Sequence, residues 1–306
     1  MKKRTKIFTV LGIVLVSGIL INVQQNDSKI EENISITTPE DIKEPYQIKA
    51  LKIPEGINFA GELVPIEKAD IKERMDRELL VNTYWQSNSL LLIKRAHKYF
   101  PIIEPILAEN GIPDDFKYLA LIESGLLNAT SPAGARGFWQ LMKGTAKENG
   151  LEVNTNVDER YHIEKATEVA CKYLNKSFKK FNSWTNSAAS YNAGVTGISR
   201  RLKAQRVDDY YDLLLGEETS RYVFRIIAVK EIMSNPALYG FNFEKEDLYN
   251  LEETKIVKVD TAITDIALFA QNFDTNYKEL KIHNPWLREN KLNNSSKKLY
   301  EIKLPQ

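Results

Sequence analysis

The hydrophobic pattern of the chain predicts helices over most of residues 66–240. Apolar side chains recur every three or four positions, which is typical of the buried face of an amphipathic helix. The stretches with this spacing are 77–84, 89–99, 163–178, 183–193 and 220–233. Because no sustained strand-like alternation interrupts them, the pattern predicts an all-helical domain over residues 60–242.

The pattern changes in residues 254–305. KIVKV (255–259) and KLYEIKLP (298–305) have the β-branched and alternating character of strands. Between them, TDIALFAQNF and NYKELKIHN predict two short helices. The expected fold class is therefore mainly α, with a helical domain followed by a small β-α-α-β module.

The first residues indicate export. Lys2, Lys3, Arg4 and Lys6 precede an uncharged, mostly apolar run over residues 7–23, the order found in signal peptides and N-terminal membrane anchors. The alternative is a buried core helix. The run is borderline for a bilayer span, which needs about 20 residues, and the absence of an A-x-A cleavage site favours retention as an anchor. Residues 25–59 are mainly polar and predict a linker.

Composition excludes several classes of function. The chain has 306 residues and a formal net charge of +1, which gives no electrostatic basis for binding nucleic acid. Its one cysteine, Cys171, lies in a predicted helix, where burial is expected. The three histidines, His97, His162 and His283, are far apart in the sequence and lack the spacing of metal ligands. We therefore expect no metal site.

Candidate chemistry begins in ALIESG, residues 120–125. Glu123 follows Ala120 by three positions and Phe116 by seven, so a helix starting at Pro113 places the three on one apolar face. Burial and the negative end of the helix dipole both raise a carboxyl pKa. A carboxyl that stays protonated near neutral pH can act as a general acid. Alternatively, Glu123 turns toward solvent at a frayed helix end, and the helical spacing alone does not decide between the two.

Three later segments combine aromatic rings with amides and hydroxyls: SPAGARGFWQLM (131–142), SWTNSAASYNAG (183–194) and ETSRYV (218–223). Rings can pack on the apolar faces of pyranoses, while amides can bind hydroxyl and N-acetyl groups. Taken singly, each of these aromatic residues is more typical of a hydrophobic core.

The order of IESG, SPAGARGFWQLM, AASYNAG and ETSRYV resembles the lytic transglycosylase family. That family has a goose-lysozyme-like fold and belongs to glycoside hydrolase family 23. Residues 60–240 look closest to the membrane-bound lytic transglycosylase D group. The resemblance implies cleavage of the β-1,4 bond between N-acetylmuramic acid and N-acetylglucosamine in peptidoglycan, with 1,6-anhydro-muramic ends. It implies no metal and no organic cofactor.

The resemblance also assigns site residues by motif. Glu123 matches the single catalytic acid, and Ser124 matches the serine beside it that helps position the substrate. The other expected substrate-binding residues are Gln140, Met142, Tyr191, Asn192, Glu218 and Tyr222. One departure is Lys143, which stands where the family usually has proline after the methionine.

The C-terminal module resembles a LysM domain, a small peptidoglycan-binding fold. Its usual Gly-Asp-Thr opening is replaced by Val259-Asp260-Thr261. Two interpretations therefore stay open. The module either binds glycan, with Asn284, Pro285 and Trp286 as candidate contacts, or is a structural remnant packed on the catalytic domain.

Two rival functions remain. A muramidase on the same fold needs a second carboxylate to activate water, and Asp158, Glu159 and Glu164 are the candidates; we interpret them as solvated surface charges. The other rival is a non-catalytic glycan-binding protein. The presence of all four motifs argues against it. The expected location is the bacterial cell envelope, in the periplasm, with peptidoglycan glycan strands as partner and residues 7–23 as a potential inner-membrane anchor.

Overall fold

The computed structural model describes residues 47–306 of the chain. The predicted signal peptide or anchor lies outside these residues, as does most of the predicted linker. Within the described residues, no helix is both long enough and apolar enough to cross a bilayer.

Ten α-helices dominate the described residues, and the mainly α fold class is confirmed. Eight of them form the helical domain: α1 (Ala69–Tyr84), α2 (Gln86–Glu109), α3 (Phe116–Ser124), α4 (Lys143–Glu148), α5 (Ile163–Phe181), α6 (Trp184–Ala193), α7 (Val195–Gln205) and α8 (Glu217–Ser234). Short 3₁₀ helices lie at Glu159–Tyr161, Tyr210–Asp212, Pro236–Tyr239 and Lys245–Asp247.

Helix α5 shows how the hydrophobic spacing builds the core. Its buried positions include Ala166, Ala170, Leu174 and Ser177, which recur every three or four residues. This face packs against α2 and α6. Cys171 is also fully buried, and burial raises the pKa of its thiol to about 12. The prediction of a buried cysteine is confirmed, and its thiol stays protonated at physiological pH.

Helix α2 joins the predicted segment 89–99 to the residues after it and continues through Pro101 and Pro105. A proline inside a helix removes one backbone hydrogen bond and exposes the carbonyl four residues earlier. Both prolines lie on the exposed face of α2. Since water can bind the carbonyls freed on that face, the helix tolerates both residues.

A short hairpin extends the folded core upstream of the predicted domain start. Strands β1 (Asn58–Phe59) and β2 (Glu62–Leu63) pair antiparallel. Ile57 and Phe59 are buried in the core, and the ring of Phe59 packs edge-on against Phe116 at 5.0 Å. The last apolar side chains of the segment predicted as a linker, residues 25–59, therefore belong to the hydrophobic core.

Helix α3 begins at Phe116, three residues later than predicted. Asp115, just before it, accepts a hydrogen bond from the backbone N–H of Ala60 at 2.6 Å. It also pairs with Lys230 of α8 at 2.6 Å. These contacts tie the start of α3 to the hairpin and to α8, and they position the helix that carries Glu123.

The C-terminal module has the predicted β-α-α-β order. It consists of β3 (Thr254–Val259), α9 (Ile266–Gln271), α10 (Tyr277–His283) and β4 (Tyr300–Pro305). The two strands pair antiparallel in a continuous register from Thr254↔Pro305 to Val259↔Tyr300. The helices and strands enclose a small core of their own.

The module is docked on the helical domain. Val157 and Tyr161 of the helical domain are buried within the module's core. The backbone N–H of Asp158 donates to the carbonyl of Trp286 at 2.9 Å, and that of Arg288 donates to the carbonyl of Asn156 at 2.9 Å. This continuous packing favours the structural interpretation of the module that the sequence left open.

An acid-sensitive ion pair crosses the same interface. Glu164 of α5 pairs with Lys303 of β4 and lies 3.1 Å from His162. Burial alone would raise the pKa of Glu164, but the nearby His162 and Lys303 outweigh it and lower the pKa from 4.5 to about 2. A carboxyl with a depressed pKa contributes stability that is complete above pH 4.5 and is lost as pH falls toward 2.

Glu164→Gln is therefore expected to lower the free energy of unfolding at pH 7 and to flatten its decrease between pH 4.5 and about 2. Urea unfolding of both proteins across this window measures the effect. Other acids titrate in both proteins, so the difference between the two curves is the informative quantity. Parallel curves would contradict the assignment of this ion pair.

Candidate active site

Glu123 lies in the last turn of α3, as the sequence predicts. The helix ends at Gly125, whose φ of 61° is left-handed and whose N–H donates to the carbonyl of Leu121 at 2.8 Å. Glycine adopts this conformation without steric cost. The turn stops the helix just after the Glu123–Ser124 pair and leaves Glu123 half-buried.

The surroundings of Glu123 favour its protonated form. Burial is the main effect and raises the pKa of its carboxyl above the ordinary value. A hydrogen bond from the Tyr222 hydroxyl and the positive charge of Arg225 act in the opposite direction, while the negative charge of Glu218 adds to the rise. Since the net shift is upward, Glu123 fits the requirement for a general acid.

Two tyrosines flank this carboxyl. The hydroxyl of Tyr222, a buried residue of α8, donates a hydrogen bond to Oε1 of Glu123. The hydroxyl of Tyr191 on α6 donates to the carbonyl of Trp139 at 2.7 Å. Burial, followed by the charge of Glu123, raises the pKa of both phenols well above 10. Both therefore act as neutral hydrogen-bond donors.

The glycine-rich segment 131–142 closes against the end of α3. Ser124 Oγ donates to the carbonyl of Phe138 at 2.9 Å. Gln140 has a positive φ of 45°, and its Nε2 donates to the carbonyl of Gly137 at 2.8 Å. Met142 is exposed at the start of α4. Ser124 and Gln140 thus shape this loop, whereas Met142 is free to contact a ligand.

The third and fourth motifs meet through hydrogen bonds. Asn192 Nδ2 donates to Oε1 of Glu218 at 2.9 Å. Its Oδ1 accepts from the hydroxyl of Thr219 at 2.8 Å. This network fixes the amide of Asn192 and the carboxylate of Glu218 at the N-terminal end of α8, close enough for Glu218 to influence Glu123.

Two segments of the chain match known protein families. Residues 100–213 match the family described as Transglycosylase SLT domain. Residues 255–306 match the soluble lytic transglycosylase C-terminal LysM-like domain. Residues 100–213 are therefore similar to transglycosylase SLT domains. The resemblance to lytic transglycosylases and the LysM-like nature of the module are both confirmed.

Two curated relatives carry the description membrane-bound lytic murein transglycosylase D. One is from Escherichia coli strain K12 and the other from Escherichia coli O6:H1. Each is 27% identical over 187 residues, which cover 59% of this chain and 40% of the relative. The chain therefore matches well under half of the length of these relatives.

A solved structure of an inactive mutant of lytic transglycosylase Slt from Pseudomonas aeruginosa is also similar. The TM-score is 0.36 and the identity 18%, over 51% of this chain and 27% of that chain. The match to the SLT family ends at residue 213 and does not include Glu218 or Tyr222. These two residues are related to Glu123 by the hydrogen bond from Tyr222 and by the effect of Glu218 on the pKa of Glu123.

The interpretation of the other acids as solvated charges is wrong for two of them. Asp158 and Glu159 are buried beside the SLT domain's contact with the module. Asp158 pairs with Arg160 at 2.8 Å and Arg136 at 3.0 Å, and Glu159 pairs with Lys165 at 2.5 Å. Burial alone would raise both pKa values, but these hydrogen bonds lower them.

The candidate glycan contacts of the module are not grouped with Glu123. Asn284 is fully buried; it accepts a hydrogen bond from the backbone N–H of Lys303 at 2.8 Å. Trp286 is buried and stacks with Tyr300 at 5.5 Å and with His162 at 6.1 Å. Pro285 is half-buried. Burial and these contacts engage Asn284 and Trp286 in the fold, which does not support a role for them as glycan contacts; the assignment stays a prediction.

Arg225 is a site residue that the sequence analysis missed. Its Nη2 donates to the carbonyl of Ile122 at 3.4 Å, at the C-terminal end of α3, and its charge acts on Glu123. The signal was present in the sequence. Glu218, Tyr222 and Arg225 are spaced by four and then three residues, so they share one face of α8.

Glu218→Gln is expected to move the alkaline limb of activity to lower pH. Glu218 raises the pKa of Glu123, so removing its charge lowers that pKa, and the protonated acid is lost at a lower pH. Glutamine retains an oxygen that can accept from Asn192. The pH profile of the initial rate at low substrate measures the shift, with Glu217→Gln on the same turn as the control. An unmoved or upward-moved limb would contradict the electrostatic assignment.

Proposed function

We propose that this protein is a peptidoglycan lytic transglycosylase. It cleaves the β-1,4 bond between N-acetylmuramic acid and N-acetylglucosamine and leaves 1,6-anhydro-muramic ends. The observation that carries the proposal is the half-buried Glu123, which has a raised pKa and accepts a hydrogen bond from a buried tyrosine. The SLT domain match and the names of the curated relatives support the same reaction.

In the first step, Glu123 acts as a general acid. Its Oε1 accepts from Tyr222, which leaves Oε2 to carry the proton. That proton passes to the glycosidic oxygen as the bond from this oxygen to the anomeric carbon breaks. The N-acetyl oxygen of the muramic residue stabilises the positive charge that develops at the anomeric carbon.

In the second step, the Glu123 carboxylate acts as a general base. It takes the proton from the 6-hydroxyl of the same sugar, and that oxygen bonds to the anomeric carbon. The bond to the 6-oxygen replaces the stabilising interaction with the N-acetyl oxygen, Glu123 is protonated again, and no water is consumed. One carboxyl serves both steps because its proton is returned at the end of the cycle.

The other motif residues would orient the sugar. We assign Ser124, Gln140, Met142, Tyr191 and Asn192 to the substrate cleft. The exposed thioether of Met142 and the fixed amide of Asn192 offer an apolar and a polar contact respectively. The preferred partner is a peptidoglycan glycan strand in the bacterial cell envelope, reached from the periplasm, with residues 7–23 as an inner-membrane anchor.

A muramidase is the second candidate, and Glu218 is the observation that favours it. This exposed carboxylate lies near enough to Glu123 to raise its pKa. A water held by Glu218 would attack the anomeric carbon in place of the 6-hydroxyl. The transglycosylase is preferred because Glu218 is already engaged by Asn192.

Release of soluble muropeptides from purified sacculi tests the proposed activity. The full-length protein is expected to lower the turbidity of a sacculus suspension and to release disaccharide-containing fragments. Binding to sacculi without any release would instead identify a glycan-binding protein with an inactive site.

A further inference from the structure

A cluster of potential metal ligands lies in the module, away from Glu123. Glu252, Glu279 and His283 each offer one ligand atom, and these atoms lie within 4.8 Å of one another. Glu279 and His283 are one turn apart on α10. Glu252 belongs to the segment that leads into β3. The sequence spacing could not reveal this group, because Glu252 is distant from the other two in the chain.

The histidine is the distinctive member of the cluster. Only 10% of its side chain is exposed, and its Nε2 is buried with no hydrogen-bond partner among residues 47–306. This nitrogen lies 3.2 Å from Oε2 of Glu252, yet the geometry of the two atoms does not form a hydrogen bond. A buried polar atom without a partner is uncommon in native proteins, and here it faces the carboxylate groups.

We propose that Glu252, Glu279 and His283 bind a divalent transition-metal ion, with Zn²⁺ as the best match. An imidazole nitrogen and two carboxylate oxygens are a donor set that zinc accepts. The imidazole disfavours Mg²⁺ and Ca²⁺, which prefer oxygen ligands. A metal ion bound by the lone pair of Nε2 would give this nitrogen the partner it lacks.

The cluster can contract to coordination distances without disturbing the core. Zinc ligands lie about 2.0–2.2 Å from the metal, so the three atoms must move closer together. The side chain of Glu252 is 62% exposed and that of Glu279 is 31% exposed, and both can turn toward the buried imidazole. The fourth tetrahedral position is left to solvent.

Such an ion would link two segments of the chain. It would clamp the segment before β3 onto α10, and this segment also contacts the helical domain, where His97 Nδ1 bonds to the carbonyl of Tyr249 at 2.9 Å. Zinc would therefore stabilise the docked module. This inference is independent of the proposed enzymatic activity.

Zinc titration of the full-length protein, followed by calorimetry, tests the site. The wild type is expected to bind one Zn²⁺ with the affinity of a specific site, and zinc is expected to raise its melting temperature. His283→Ala and Glu252→Gln should each weaken this binding by at least about 10-fold. Glu289→Gln, which removes an exposed acid of the same module, should leave zinc binding unchanged.

A second measurement distinguishes the loss of metal coordination from a loss of folding. Co²⁺ bound to the wild type should give the visible absorption of a four-coordinate site, and Glu252→Gln, at an exposed position, should lose it while keeping its melting temperature without metal. If the wild type binds no zinc, or if both ligand variants bind it as the wild type does, the proposal is overturned. His283 and Glu252 would then form an ordinary ion pair.

Discussion

Glu123→Gln is expected to lower peptidoglycan turnover by about 100- to 10,000-fold, the contribution typical of a general acid or base. Glutamine can neither donate the acidic proton nor take it back from the 6-hydroxyl. It retains an oxygen that can accept from Tyr222, so the buried hydrogen bond persists. Muropeptide release, measured against the wild type under equal conditions, gives the ratio.

The same variant should keep its melting temperature and its binding to sacculi, because its shape and the surrounding contacts are preserved. Glu246→Gln, which changes an exposed glutamate outside the site, is the matched control and should show wild-type turnover. Turnover in Glu123→Gln equal to that of the control would remove Glu123 from the reaction. If this variant failed to fold, the melting curve would show it. Its lower turnover would then not be evidence of a catalytic role.

Gly137→Ala is expected to lower the free energy of unfolding by about 2–5 kcal/mol, from the combined cost of a left-handed backbone and of overpacking. Gly137 has a φ of 75°, and an added Cβ would lie 2.0 Å from the carbonyl oxygen of Arg160. That carbonyl belongs to backbone, so it cannot rotate away. The collision would displace the loop that carries Gln140 and Met142.

Gly134→Ala separates the cost of the left-handed backbone from the cost of overpacking. Gly134 lies in the same loop with a similar φ of 85°, but no heavy atom of the described chain lies within 4 Å of its added Cβ. This variant should lose only about 1–2 kcal/mol, from backbone strain alone. Urea unfolding of both proteins gives the comparison. Equal losses would mean that the loop does not approach Arg160 as closely as described.

The helical domain could be predicted because its information is local. The spacing in α5 sets both its helicity and its buried face. The position of Glu123 relative to Phe116 already placed the acid on an apolar face. Whether its pKa is raised could not be predicted, since burial against α8 and the opposing effects of Tyr222 and Arg225 depend on packing between distant segments.

The failures share one physical cause, which is pairing between residues far apart in the chain. Asp158 and Glu159 look like surface charges in sequence, because the cations that neutralise them include Arg136 and Lys298 from other segments. In sequence, Trp286 resembles an exposed ring that could pack on a sugar; the structure instead stacks it with Tyr300 and His162. Burial of a charged or aromatic residue cannot be inferred without its partners.

Docking of the module changes how its role is understood. Asn284 ties α10 to β4 within the module, whereas Trp286 packs against His162 of the helical domain. The docked module therefore supports residues 151–164. Glycan affinity, if the module contributes any, would have to come from its other surfaces. The half-buried Pro285 is the one member of the predicted trio with a surface to offer.

Mass spectrometry of the products released from purified peptidoglycan tests the central claim most directly. A lytic transglycosylase with Glu123 as acid and then base releases 1,6-anhydro-muropeptides, lighter by one water than the reducing products of hydrolysis. The account predicts anhydro products from the wild-type protein. Reducing ends formed in their place would contradict it and would establish hydrolysis, with Glu218 as the first residue to test as the base for water.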